Sequence, residues 1–252
     1  MYDVIKNYCE NENKNGLFLV DMPTGYGKTY QVIKYIYEAS LKPENKNRRF
    51  IFVTTLRKNL PENDLEKWFS DNNQSNLFKQ KYLRIDSNMD CVLDNLLSIE
   101  KDVQDDIKTS QEFKDLIRDV KAIKNVERSK DAAALVSALK DNLRTDTEPK
   151  FRRFLQGRLD SFGSISQKLD AIQNDKKWTW VPKLYPAALT SERQILFMSM
   201  DKFLSRNSPV VEASYMWYNN DKIIKDAFIF IDEFDATKET ILSNIIENGL
   251  RD

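Results

Sequence analysis

The residues best placed to do chemistry sit in one short string, MPTGYGKT, at 22–29. Gly25 and Gly27 free the backbone to take dihedrals that let main-chain amides approach an anion closely. Lys28 adds a cation in reach of β- and γ-phosphates, and Thr29 adds a hydroxyl suited to a magnesium ion. An apolar run, GLFLVDM at 16–22, precedes the string and reads as a buried strand. Val32, Ile33, Ile36 and Tyr37 follow at helical spacing over 28–40. Strand, Gly-rich loop and helix in that order form a phosphate cradle whose helix N-terminus faces the anion. Pro23, Thr24, Gly25, Tyr26, Gly27, Lys28, Thr29 and Tyr30 are therefore candidate nucleotide-binding residues. The general motif opens on a Gly where this chain has Met22.

A phosphate loop needs a carboxylate on a neighbouring strand to complete the magnesium shell, and IFIDEFD at 229–235 offers one. The apolar residues 228–231 end in Asp232 and Glu233, at the carboxyl end of a strand, where open α/β sheets bind ligands. By itself such a run reads as a strand ending in a solvated turn. Beside a phosphate loop, Asp232 becomes the magnesium-holding acid and Glu233 the group that orients or deprotonates water. Asp235 is placed to link this strand to other motifs.

These groups must be held by alternating elements. RFIFVTT (49–55), KYLRID (81–86), QILFMSM (194–200) and AFIFIDE (227–233) read as further strands. Asn63 or Asp64 could cap a helix carrying Leu65, Trp68 and Phe69. A last helix over 236–249 carries Ile241, Leu242, Ile245 and Ile246 and closes on Gly249. Strands alternating with helices imply a parallel sheet. The middle of the chain differs, with no Gly or Pro between Pro61 and Pro149. Phe113, Leu116, Ile117, Val120 and Ile123 recur at helical intervals, as do Phe151, Phe154, Leu155, Leu159 and Phe162. The expected organisation is an α/β domain in two parts, 1–89 and 186–252, interrupted by a helical insertion at 90–185.

Composition narrows the function classes. Lys plus Arg equals Asp plus Glu, 39 against 39, so nucleic-acid contact needs a local patch. The chain has no histidine, which excludes His-based catalysis and His-containing zinc sites. Cys9 and Cys91 are too few and too far apart for a disulfide framework. No apolar run reaches the length that crosses a bilayer, and the N-terminus lacks signal-peptide character. A cytoplasmic location without membrane association is the expectation. Lys150, Arg152, Arg153 and Arg158 interleave with Phe151, Phe154 and Phe162, a pattern open to two readings. One is a single-strand binding face; the other, favoured by the core-like Phe spacing, is an amphipathic helix. In WTWVP, the alternation of Trp178 and Trp180 suggests a short extended segment with both rings on one side, packing the insertion onto the sheet in preference to forming a base-stacking platform.

Together these residues resemble superfamily 2 helicases and translocases. PTGYGKT looks like their motif I and DEFD like their motif II. TTLRKNLP (54–61) sits where motif Ia belongs, and ILFMSMDKFL (195–204) resembles the strand and helix before the DExD box. The resemblance covers roughly residues 14–70 and 190–240. It implies a three-layer RecA-like P-loop fold, ATP and Mg2+ as cofactors, and nucleic acid across the top of the sheet. Lys28, Asp232 and Glu233 would be the catalytic residues, with Thr29 and Asp232 holding the metal. Thr55, Arg57 and Lys58 would lie near the nucleic-acid backbone, with Ser199 and Lys202 as weaker candidates; a solvated helix start is the alternative for Arg57 and Lys58. DEFD is neither DEAD nor DEAH, and no adenine-reading Gln stands upstream. These departures favour DNA-side relatives over RNA remodellers. The resemblance also implies a motif III and a second RecA-like domain beyond Asp252, so this chain alone is expected to be weakly active. A competing expectation is a nucleotide-dependent switch that gates a protein partner through the 90–185 insertion.

Overall fold

The computed structural model describes residues 1–11, 16–20, 25–128, 132–233 and 238. The chain divides into two compact units. The first comprises residues 1–85, 192–206 and 216–252; the second comprises 86–191 and 207–215.

The first unit is an α/β fold of RecA-like type built on four parallel strands. These are β1 (Arg49–Thr54), β2 (Tyr82–Ile85), β3 (Ile195–Ser199) and β4 (Ala227–Ile231). Their order across the sheet is β2–β3–β1–β4. β1 lies between β3 and β4, pairing Thr54 with Ser199 and Val53 with Ile231. Helices of this unit include α1 (Tyr2–Cys9), α2 (Lys28–Ser40), α3 (Glu62–Asp71) and α4 (Ser75–Lys81). Alternate strand residues share a face, and Phe50, Phe52, Ile195 and Phe197 use theirs to pack with Ile33, Ile36, Leu65, Phe69 and Phe78. Tyr35 of α2 meets Phe50, Phe228 and Phe230 edge-on, with ring centroids 6.5, 6.5 and 6.2 Å away. Removing one such buried ring costs about 3–5 kcal/mol.

Two local expectations change in this unit. Residues 17–20 do not form a strand: Leu17 is 76% exposed and Leu19 62%. The run is apolar enough for a buried strand, but a strand also needs a neighbour to pair with. Among the described residues, none pairs with the outer edge of β4, where the sheet ends. α3 begins one turn earlier than expected, with Pro61 at its N-cap. Asp64 then falls in the first turn, where its charge still favours the helix dipole. The helix expected over 236–249, including Gly249, lies outside the described residues apart from Lys238.

The second unit is helical: α5 (Asn88–Ile99), α6 (Gln111–Val126), α7 (Ala133–Asn142), α8 (Glu148–Leu159) and α9 (Ile165–Asn174). Its buried residues include Leu96, Leu116, Val120, Ile123, Phe151, Leu155 and Trp180. A π-helical segment, Leu143–Thr147, joins α7 to α8. Pro149 in the first turn of α8 has no N–H to return to the preceding turn, which loosens the regular ladder there. Buried polar groups compensate. Asp119 accepts from the Thr147 hydroxyl at 2.6 Å and the Asn142 amide at 3.1 Å.

The Phe–Arg stretch is an amphipathic helix. Phe151 is buried, and Arg152 pairs with buried Glu148 at 2.9 Å. WTWVP is a turn rather than an extended segment. The Trp178 and Thr179 amides both donate to the Asp175 carbonyl, at 2.8 and 3.2 Å, and Pro182 starts a helical turn at Val181–Leu184. Trp180 is fully buried, and its indole N–H donates to Gln104 at 3.2 Å.

Candidate nucleotide site

The carboxyl ends of β1 and β4 meet the start of α2, and the candidate site lies there. Gly25 and Gly27 have φ of 89° and 68°, in the left-handed region that favours glycine. Gly27 is the N-cap of α2, so the turn it makes aims the first helical amides back across the loop. Lys28, Thr29 and Tyr30 open the helix; Tyr26 and Tyr30 are exposed. Pro23 and Thr24 lie outside the described residues, as does Asp235.

The strongest link in the site is long-range. The Thr29 hydroxyl donates to Asp232 Oδ2 at 2.6 Å, joining the loop helix to the end of β4. The Asp232 N–H donates to the Val53 carbonyl at 2.9 Å, extending the ladder past the strand end. The Glu233 N–H donates to Asp232 Oδ1 at 3.0 Å. Asp232 is thus fixed by backbone on one side and by Thr29 on the other.

This hydroxyl–carboxylate pair suits Mg2+, which prefers hard oxygen ligands and shares its shell with phosphates and water. Among the described residues, no group of three or more His, Cys, Asp or Glu is arranged to hold a metal unaided. An all-protein metal cage is not what these residues build; the fit is to a metal shared with phosphate.

Glu233 adopts φ 55°, unusual for a residue with a side chain. Such a conformation costs about 1–2 kcal/mol and persists where neighbours over-determine it. Here the neighbours come from the segment after β1. The Thr55 hydroxyl donates to Glu233 Oε2 at 2.5 Å, and the Asn59 amide donates to Oε2 at 3.2 Å and Oε1 at 3.4 Å. The Thr55 hydrogen bond holds the Glu233 carboxyl below the usual carboxylate range; desolvation opposes it, and Asn59 and Thr54 reinforce it. Asn59 is absent from the sequence-derived candidates. Its signal was its place in TTLRKNLP, but only the β1–β4 register brings it to Glu233.

The remaining candidates separate by exposure. Lys58 is exposed on the single turn Arg57–Asn59. Lys202 is only 9% exposed, and its ammonium lies 3.5 Å from the Arg206 carbonyl, within its own loop. The Ser199 hydroxyl caps the helix Met200–Leu204 by accepting from the Lys202 N–H.

No curated protein matches the chain. No helix among the described residues is long and apolar enough to cross a membrane. Residues 2–119 match the family described as ResIII, type III restriction enzyme, res subunit, a helicase-like domain of superfamily 2 type.

Proposed function

We propose that the α/β unit is the ATP-binding part of a nucleic-acid helicase or translocase of superfamily 2 type, acting on DNA. The Thr29–Asp232 hydrogen bond carries this reading, because it joins a phosphate loop to an acid at the carboxyl edge of the sheet. The match of residues 2–119 to a helicase-like family supports it. The DEFD sequence and the lack of an adenine-reading Gln upstream of the loop support DNA over RNA.

Each residue then has a task. Loop amides at Gly25 and Gly27 and the α2 N-terminus hold phosphate oxygens. Lys28 neutralises charge on the β- and γ-phosphates. Thr29 and Asp232 would hold the magnesium ion, which when bound offsets phosphate charge as a Lewis acid. Glu233 accepts a proton from the attacking water or orients it. Thr55, Arg57 and Lys58 face the nucleic-acid backbone.

The test is a pair of variants in the full protein. Lys28→Ala should abolish hydrolysis. Glu233→Gln should bind a fluorescent ATP analogue normally and not turn ATP over. Wild-type turnover in either variant defeats the assignment. Single-stranded or duplex DNA should raise the ATPase rate more than RNA does. A rate that responds to a protein partner and to neither nucleic acid would replace the motor with a switch.

A further inference from the structure

We infer that Thr55 and Asn59 form a polar clamp on Glu233, through which the turn 55–60 reports nucleic-acid contact to the hydrolytic site. This deepens the function proposed above and rests on it. Three observations carry the inference. First, both carboxylate oxygens of Glu233 are engaged: Oε2 by the Thr55 hydroxyl and the Asn59 amide, Oε1 by that same amide. Three hydrogen bonds onto two oxygens fix the direction of the carboxylate, so it is not free to turn toward a water at the phosphate loop. Second, Glu233 sits at φ 55°, a backbone state that needs support from its surroundings. Third, the clamp and the exposed cation Lys58 share one tight turn. The Asn59 N–H donates to the Leu56 carbonyl at 2.9 Å, and the Leu60 N–H to the Arg57 carbonyl at 3.3 Å. A turn closed by two such bonds moves as a piece. A phosphate drawn to Lys58 therefore displaces Asn59, and with it the Glu233 carboxylate. The clamp holds the carboxylate in a resting position, and nucleic acid releases it toward the bound nucleotide.

Thr55 and Asn59 are positioning residues in this scheme; neither touches the reacting atoms. Two measurements test it. The first needs no ATP: the side-chain amide signal of Asn59 in nitrogen-15 NMR, assigned by its loss in Asn59→Ala. It should shift in Glu233→Gln and on adding a single-stranded oligodeoxynucleotide to the wild type. The second is ATPase with and without that oligonucleotide. Thr55→Val and Asn59→Ala should raise the DNA-free rate several-fold and bring the stimulation ratio toward unity, with affinity for a fluorescent ATP analogue unchanged. Thr55→Ser should restore the wild-type ratio. An Asn59 signal indifferent to Glu233→Gln overturns the clamp whatever the ATPase does. A signal indifferent to DNA, or a stimulation ratio unchanged in both variants, overturns the coupling. A proportionate fall in both rates reduces the pair to ordinary support and also overturns it. If the wild type hydrolyses no ATP under any condition while the signal responds to Glu233→Gln, the proposed function falls and the contact itself stands.

Discussion

Thr29 and Asp232 could be paired from the sequence only through the Gly-rich loop that precedes Thr29, and the structure brings the two side chains within 2.6 Å. Asn59 could not be placed that way. Its contact with Glu233 spans 174 positions of the chain and exists only because β1 and β4 are neighbours in one register. Gly27 illustrates what a single position contributes. A methyl group there would meet nothing within 4 Å, so the fold resists substitution only through the φ of 68°. Gly27→Ala should therefore lower unfolding free energy by about 1–2 kcal/mol in urea titrations, while weakening nucleotide binding more strongly because the amides of the loop are re-aimed. Cys9 offers a check on the packing of α1 that is independent of function. Burial pushes its thiol up to about 11, against the Tyr35 contact that lowers it. At pH 8 its thiolate fraction should be about a hundredfold below that of an unperturbed cysteine. Mass spectrometry should find Cys9 alkylated by iodoacetamide correspondingly slowly; rapid modification would contradict the packing.

At the scale of elements, legibility followed local chemistry. Runs dense in Phe, Ile and Val at 49–55, 194–200 and 227–233 became strands because a sheet interior is the environment they fit. The equally apolar 17–20 did not, although among the described residues the outer edge of β4 is unpaired, so apolar composition alone does not place a run in the sheet. Trp178 and Trp180 misled for the opposite reason: alternation implied extension, but the Asp175 carbonyl and Pro182 bend the backbone first. Helix ends depend on single groups. Ser164 caps α9 in a capping box with Gln167, so Ser164→Ala should cost about 1 kcal/mol by chemical denaturation. Thr147 is buried with its hydroxyl on Asp119. Thr147→Val keeps the shape and removes that donor, and should cost about 1–3 kcal/mol. A neutral result would mean that the Asn142 amide and the Arg118 guanidinium, which donates to Asp119 Oδ1 at 3.0 Å, satisfy Asp119 without it.

For the molecule as a whole, charge and edges set behaviour in solution. Acidic and basic side chains balance at 39 each, and the isoelectric point is about 6.5. Near that pH, little net repulsion keeps copies apart. Among the described residues β4 ends the sheet, with Ile229 40% exposed, and an open edge is a template for pairing with another chain. Light scattering should therefore peak near pH 6.5, and Ile229→Lys should reduce it. Unchanged scattering in that variant would place the association elsewhere.

The order of strands in the sheet also bears on synthesis. β1 is central, yet both its neighbours, β3 and β4, come from the far end of the chain. During translation Phe50 and Phe52 emerge early and have no neighbouring strand to pair with until residues 86–191 of the helical unit have followed. At about 5–20 residues per second this interval is roughly ten to thirty seconds. Closure of the sheet is then a late event, gated by ribosome progress rather than by local propensity. For that interval the nascent α/β half exposes surface that chaperones bind, while the contiguous 86–191 part of the helical unit can already begin to fold.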